Sequence, residues 1–110
     1  MKLAELVEKT GWKVLAGDPA AAAEVTGVYC GDLLSWVMGN GEPGQAWITV
    51  QVHMNVVAVA MLREFSCLIV ADGAEPAEET LARAAEEGLT VLGSDLPVYE
   101  TAVKLYQAGV

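Results

Sequence analysis

Apolar positions along this chain switch between a helical spacing and short continuous runs. Leu3, Leu6, Val7 and Thr10 recur at three- and four-residue intervals and share one face of an amphipathic helix, with Glu5 and Lys9 as an i,i+4 pair and Gly11 as its stop. Trp12-Lys13-Val14-Leu15-Ala16 reads as a strand, Gly17-Asp18-Pro19 as a turn, and Ala20 to Ala23 as either a loop or one helical turn. Val25 to Cys30 has strand character, and Gly27 within it predicts a bulge or a close backbone approach. Asp32 is placed to cap a short helix through Leu33, Leu34, Trp36, Val37 and Met38 that ends at Gly39-Asn40-Gly41.

The middle of the chain, Trp47 to Ala60, is its spine. Ala46 to Val52 reads as the central strand, His53 and Asn55 form a polar break, and Asn55 is placed to cap a helix beginning at Val56. Val56 to Leu62 is apolar all round, so periodicity fits helix or strand; helix is preferred because another strand, Cys67 to Ala71, comes straight after. That run is continuously apolar, as a strand covered on both faces must be. Pro76 opens a helix with Leu81, Ala84 and Ala85 inward, Glu78, Glu79, Arg83, Glu86 and Glu87 outward, and the pairs Glu79–Arg83 and Arg83–Glu87 along it. Leu89 to Leu92 is a short strand, and Pro97 opens a last helix. One stripe of that helix carries Val98, Ala102 and Leu105, and a second carries Tyr99, Val103 and Tyr106, which implies a partner on the second. Strand and helix alternate with short links, the pattern of right-handed βαβ units. The expected fold class is α/β: a single domain over residues 1–110 with a mostly parallel sheet of about five strands flanked by helices.

Composition narrows the function classes. The 110 residues are 54% hydrophobic and 19% charged, well inside the range of chains that bury a core. The formal charge is −9 with only six Lys or Arg residues, a surface that repels phosphate backbones and anionic headgroups, so neither nucleic acid nor a membrane surface is the expected partner. The charge-free run from Pro43 to Leu62 is interrupted by Gln45, Thr49, Gln51, His53 and Asn55, which suits a buried strand and helix better than a bilayer span. Acids within the first nine residues do not fit an export signal. Two cysteines, Cys30 and Cys67, make no disulfide framework, so a reducing, cytoplasmic setting is expected.

Candidate chemistry collects at the carboxyl ends of the predicted strands, where ligands bind in open α/β sheets. His53 with Asn55, Asp72 with Gly73, and Ser94 with Asp95 are the groups there, and as parallel neighbours they would line one crevice for a small molecule or a divalent metal. The competing reading, that they cap helices, make turns and hold a hydrogen-bonded histidine, is the more economical one. Enzymatic readings find little support. The chain lacks a Gly-x-x-x-x-Gly-Lys-Ser/Thr loop, a Gly-x-Gly-x-x-Gly turn and a His-x-x-x-His pair. A thiol of Cys30 or Cys67 activated by His53 is the remaining nucleophile, but Cys67 starts an apolar strand and reads as structural. No cofactor is implied. Trp12 and Trp47 read as core, whereas Trp36 and Met38 are candidate interface residues, as are Tyr99, Val103 and Tyr106.

Two segments, Glu24-Val25-Thr26-Gly27-Val28-Tyr29-Cys30-Gly31-Asp32-Leu33-Leu34-Ser35-Trp36-Val37-Met38-Gly39-Asn40 and Trp47 through Gln51-Val52-His53 to Ala60, closely resemble DRTGG-domain proteins, in a likeness that covers essentially the whole chain. In that family a segment like Val-Thr-Gly-Gly-Tyr precedes Ser/Gly-Asp-Leu-Leu-Ser, and a strand ending in Gln-x-His runs into an apolar helix. Thr26-Gly27 and Asp32 match. Ala22 and Ala23 stand where the Asp-Arg pair of the family name is expected, and Val28 replaces the second glycine. The resemblance implies a fold like the amino-terminal domain of HPr kinase/phosphorylase, and a regulatory or oligomer-forming domain outside a catalytic unit, as in pyrophosphatases with CBS modules and some phosphotransacetylases. On this basis the expected function is a non-catalytic regulatory or protein-interaction module that forms a homodimer or binds another protein. The alternative is a sensor of a nucleotide, phosphometabolite or metal.

Overall fold

A computed structural model describes residues 1–21 and 24–110. Five strands, β1 (Lys13–Ala16), β2 (Gly27–Cys30), β3 (Gln45–Thr49), β4 (Cys67–Val70) and β5 (Val91–Gly93), form one sheet in the order β1-β5-β4-β3-β2. The pairs β2–β3, β3–β4 and β4–β5 are parallel, while β1 joins the edge antiparallel to β5. Five helices cover it: α1 (Leu3–Thr10), α2 (Leu34–Asn40), α3 (Asn55–Leu62), α4 (Glu78–Glu87) and α5 (Val98–Ala108).

Side chains alternate across the pleat and so feed two cores. On one face Trp47, Leu68, Val70 and Val91 pack with Val37 of α2, Val56, Val57, Val59 and Ala60 of α3, and Ala84 of α4. On the other face Ala46, Ile48, Cys67, Ile69 and Leu92 pack with Leu3 and Leu6 of α1 and Leu105 of α5. All four residues of β4 are fully buried, because β4 is the middle strand of the five and helices cover both of its faces. The three helices of the first face each connect parallel neighbours. α1 and α5, which flank the sheet in sequence, take the second. The mostly parallel α/β architecture expected from the alternation is therefore present.

Several boundaries differ for local physical reasons. β3 stops at Thr49 rather than Val52, because the Val50 N–H donates to an Asp32 carboxylate oxygen (2.9 Å) and the Gln51 N–H to Thr49 Oγ1 (3.1 Å) instead of to a neighbouring strand. β2 starts at Gly27 rather than Val25. The Val25 N–H donates to the Met1 carbonyl and the Thr26 N–H to the Gly44 carbonyl, which removes both from the ladder. Gly27 carries no bulge and pairs in register with Gln45; the irregularity lies in β1, between Val14 and Ala16. β5 runs over Val91–Gly93 rather than Leu89–Leu92. Trp12 lies just before β1 and is buried, as is Trp47.

Neither predicted side-chain cap forms. Helix α2 begins at Leu34 after Leu33, and Asp32 is committed to β3; helix α3 begins at Asn55, whose own N–H donates to His53 Nδ1 (3.2 Å). Helix α4 begins two residues after Pro76, and its inner face is Thr80, Leu81 and Ala84, with Ala85 exposed. The Glu5–Lys9 and Arg83–Glu87 ion pairs are formed at 3.3 and 3.7 Å, but Glu79 makes none with Arg83 among the described residues. Pro19–Ala21 forms a single 3-10 turn, and Ala22 and Ala23, where the family's Asp-Arg pair was sought, lie outside the described residues. No helix of the described residues is long and apolar enough to cross a membrane.

Candidate functional site

The carboxyl ends of β2 to β5 all emerge on one edge of the sheet, and four loops leave from it. The loop after β2 is held by Asp32. One oxygen of its carboxylate accepts from Thr49 Oγ1 (2.7 Å) and from the Val50 N–H (2.9 Å), while its backbone carbonyl accepts from Gln51 Nε2 (2.9 Å). Thr49 is fully buried at the end of β3, so the aspartate both satisfies that hydroxyl and ties the β2–α2 and β3–α3 loops together. Sequence reading found Asp32 but assigned it to its own helix. Only the three-dimensional adjacency of β2 and β3 gives it this partner.

His53 and Asn55 lie on the β3–α3 loop and are exposed. Because His53 Nδ1 accepts the Asn55 N–H, a neutral ring carries its proton on Nε2. The imidazole thus satisfies a free amide at the start of α3, a role the sequence pattern had suggested for the Asn55 side chain. The Val52 carbonyl of the same loop accepts from Thr80 Oγ1 (2.8 Å), anchoring α4 to it.

The β4–α4 and β5–α5 loops are bound to each other. The Asp72 N–H donates to the Leu96 carbonyl (2.8 Å), the Gly73 N–H to the Ser94 carbonyl (2.9 Å) and the Ser94 N–H to the Val70 carbonyl (2.8 Å). Asp72 and Gly73 are both left-handed, with φ of 59° and 64°, a conformation that aspartate tolerates better than most side chains. A Cβ on Gly73 would lie 3.3 Å from a carboxylate oxygen of Asp95, so the Asp95 side chain spans from one loop to the other. Ser94 is buried, at 1% exposed. Thr101 Oγ1 donates to the Leu96 carbonyl (3.0 Å), so Ser94 gives its single proton to Thr101 (2.9 Å) and accepts from the Leu96 N–H (3.2 Å). Ser94 thereby builds the entry to α5 and has no donor left for a ligand.

The five predicted site residues do not share one crevice: Ser94 and Asp95 border one concavity, Asn55 another, and His53 and Asp72 neither. Gly73, Ser94 and Asp95 border a cavity of about 420 Å³ whose other walls are Trp12, Lys13 and Leu15 of the β1 region, Ala74, Glu75 and Pro76 of the β4–α4 loop, and Leu81 of α4. Asn55 borders a second concavity of about 370 Å³ between α3 and α4, with Met54, Val57, Ala58, Met61, Leu62, Arg83 and Glu87. The β1 contribution escaped the sequence reading because β1 is antiparallel: its amino end, not its carboxyl end, reaches this edge of the sheet. Among the described residues no group of three or more His, Cys, Asp or Glu side chains is placed to hold a metal ion.

Neither thiol is poised as a nucleophile. Cys67 is buried, which pushes its pKa up to about 12 despite the neighbouring Ser66 hydroxyl, which works the other way. Cys30 is exposed at the end of β2; partial burial and then the nearby Asp32 carboxylate hold its pKa above the ordinary thiol value. Such thiols stay protonated near neutrality and react slowly.

The candidate interface residues also separate. Trp36 is 63% exposed, whereas Met38 is half-buried against the core below it. Tyr99 and Tyr106 are 75% and 79% exposed on α5, with Val103 half-buried between them, on the opposite face of the sheet from Trp36. Leu33 and Leu62, at 66% and 64% exposed, join Trp36 on the α2–α3 side. Sequence reading missed both, because a leucine beside a helical apolar run looks like core.

The geometry defines an α/β domain with a mostly parallel five-stranded sheet. No model of a known protein family matches the chain, and no curated protein matches it. Among solved structures it is similar to the CBS and DRTGG domains of the regulatory region of Clostridium perfringens pyrophosphatase, crystallised with the activator diadenosine tetraphosphate, at a TM-score of 0.72 and 14% identity. The likeness takes in 97% of this chain and 46% of that one, so this chain spans about half the length of its structural neighbour.

Proposed function

We propose that this chain is a non-catalytic regulatory or protein-interaction domain that self-associates through the outer surface of α2 and α3. The observation that carries the reading is an exposed apolar surface in a chain of charge −9. From Leu33 to Leu62 the only charged residue is Glu42, and within that span Leu33, Trp36, Met54, Met61 and Leu62 stand open to solvent. A second copy of an acidic protein is repelled everywhere except where charge is absent, and here the charge-free helices also present large side chains. Together the five side chains offer on the order of 500 Å² of apolar surface, most of the roughly 800 Å² that each partner contributes to a standard interface. Arg83 and Glu87 border the same surface, so a two-fold arrangement can set each against the other's counterpart. The regulatory half of the reading rests on the DRTGG-like fold and on the pyrophosphatase neighbour, whose domains lie in a regulatory region. Two free cysteines, one buried and neither bridged, suit a reducing, cytoplasmic setting.

Equilibrium sedimentation over a hundredfold concentration range tests this. A dimer that Trp36→Ala and Leu62→Glu each convert to a folded monomer is the expected result; a parent chain that remains monomeric at high concentration refutes self-association. A second reading, small-ligand sensing, is favoured by one specific observation: the 420 Å³ cavity that the β4–α4 and β5–α5 loops form with the β1 region has the size of a ligand site.

A further inference from the structure

We infer that this cavity is a site for a zwitterionic amino compound with an apolar body, an α-amino acid with a large apolar side chain being the simplest case. The inference rests on the ligand-sensing reading and gives it a chemistry. Its first support is topological. After β4 the chain crosses to the face of α2 and α3, whereas after β5 it crosses to the opposite face, that of α1 and α5. Loops from adjacent parallel strands that depart to opposite faces leave a crevice between them, and in open α/β sheets that crevice is where ligands bind. The cavity opens beside that point, between the two hydrogen-bonded loops and the start of β1, and the left-handed Gly73 is in its wall.

Its second support is the distribution of charge. Trp12, Leu15, Ala74, Pro76 and Leu81 make an apolar lining, and three charged residues border it: Lys13 of β1, Glu75 of the β4–α4 loop and Asp95 of the β5–α5 loop. None of the three takes part in an ion pair among the described residues. A phosphate-bearing ligand would meet one cation, two carboxylates and the field of a −9 chain, so the polyphosphate chemistry of the pyrophosphatase neighbour's activator does not suit this cavity. An ammonium group toward Asp95 and Glu75, a carboxylate toward Lys13 and an apolar body over Leu81 and Trp12 would match every part of the lining.

Calorimetric titration of the full chain with L-phenylalanine, phenethylamine, 3-phenylpropionate and inorganic pyrophosphate tests the inference. Saturable binding of phenylalanine is expected, at least about tenfold tighter than either half-molecule, since each lost charge-assisted contact is worth about a factor of ten. Lys13→Gln and Asp95→Asn are each expected to weaken it about tenfold, while Trp36→Ala, on the α2–α3 surface, leaves it unchanged. Pyrophosphate binding more tightly than phenylalanine, or phenylalanine binding that ignores both cavity substitutions, would overturn the ligand class and leave the ligand-sensing reading standing. Heat from none of the four at millimolar concentration would overturn both.

Discussion

Asp32→Ala removes an acceptor from the junction of β2 and β3 without touching the core. In the parent, one carboxylate oxygen receives the Thr49 hydroxyl at 2.7 Å and the Val50 N–H at 2.9 Å. Hydrogen bonds to a charged acceptor contribute about 1.5–3 kcal/mol each in sheltered settings; Asp32 is exposed, so the pair together is expected to contribute about 2 kcal/mol. The Val50 amide is exposed and can turn to water. Thr49 is fully buried, and its hydroxyl proton would be left without a partner, so most of the loss belongs to that bond. For a domain of this length 2 kcal/mol corresponds to a fall in Tm of about 8 °C, which circular dichroism melts at pH 7 resolve easily. Asp32→Asn keeps a neutral acceptor of the same shape and should lose about half as much. The cycle with Thr49→Val isolates the side-chain pair, for which a coupling of about 1 kcal/mol is expected. If Asp32→Ala melts within about 2 °C of the parent, or the cycle shows no coupling, the carboxylate does not join the two strands and the reasoning fails.

Three further outcomes are expected from the same geometry. Gly17 has φ of +82°, and a Cβ there would lie 2.7 Å from the Leu89 carbonyl oxygen and the Thr90 Cα, so Gly17→Ala should cost about 3 kcal/mol by urea denaturation; Gly88→Ala, at φ of +75° but facing open space, should cost about 1 kcal/mol. The buried Cys67 thiol keeps its proton to about pH 12 in the native state, whereas the unfolded chain releases it from about pH 8.5. High pH therefore favours the unfolded state, and stability should fall by up to about 1.4 kcal/mol per pH unit through that window; a Cys67→Ala protein whose stability declines as steeply would refute this. In native protein only Cys30 should react with a thiol reagent at pH 8, and Asp32→Ala should speed the reaction by lowering its pKa, so an unchanged rate would exclude the carboxylate as an influence on that thiol.

What could be read from the chain, and what could not, divides along the range of the interactions. Cys67 to Val70 announced a strand covered on both faces because burial on both sides leaves no polar position, and Val98, Ala102 and Leu105 announced the inner stripe of α5 because a helix repeats its face locally. Strand ends were less legible, since they depend on where the next backbone donor finds its acceptor. Val50 finds Asp32, 18 residues away, and Val25 finds Met1. Local capping rules misassigned Asp32 and Asn55 for the same reason: a nearer rule was applied to groups whose partners are set by strand adjacency or by the His53 ring. The candidate site was half legible. Asp95 was found from its place after β5, but Trp12 and Lys13 could not be, because nothing local in Trp12 to Ala16 says that this strand runs against the other four.

The likeness to the pyrophosphatase regulatory region holds over 97% of the chain at 14% identity, and the packing explains how both can be true. The fold is specified by a pattern, apolar residues running consecutively through β3, β4 and β5 and feeding the two faces by alternation, and repeating along α1, α4 and α5, and cores accept many side chains that keep volume and pattern. Residues outside that pattern are free to differ between two proteins of one fold, and function resides there. Lys13, Glu75 and Asp95 around the cavity, and Leu33, Trp36 and Leu62 on the α2–α3 surface, are all of this kind: none is fully buried, and none is required by the alternation. A change of Lys13 to Gln, or of Trp36 to Ala, should consequently leave the melting temperature within about 2 °C of the parent when both are measured at a concentration where the parent is monomeric, while altering ligand affinity in the first case and association in the second. A large loss of stability in either variant would mean that the residue belongs to the fold rather than to a site, and would remove it from the functional argument.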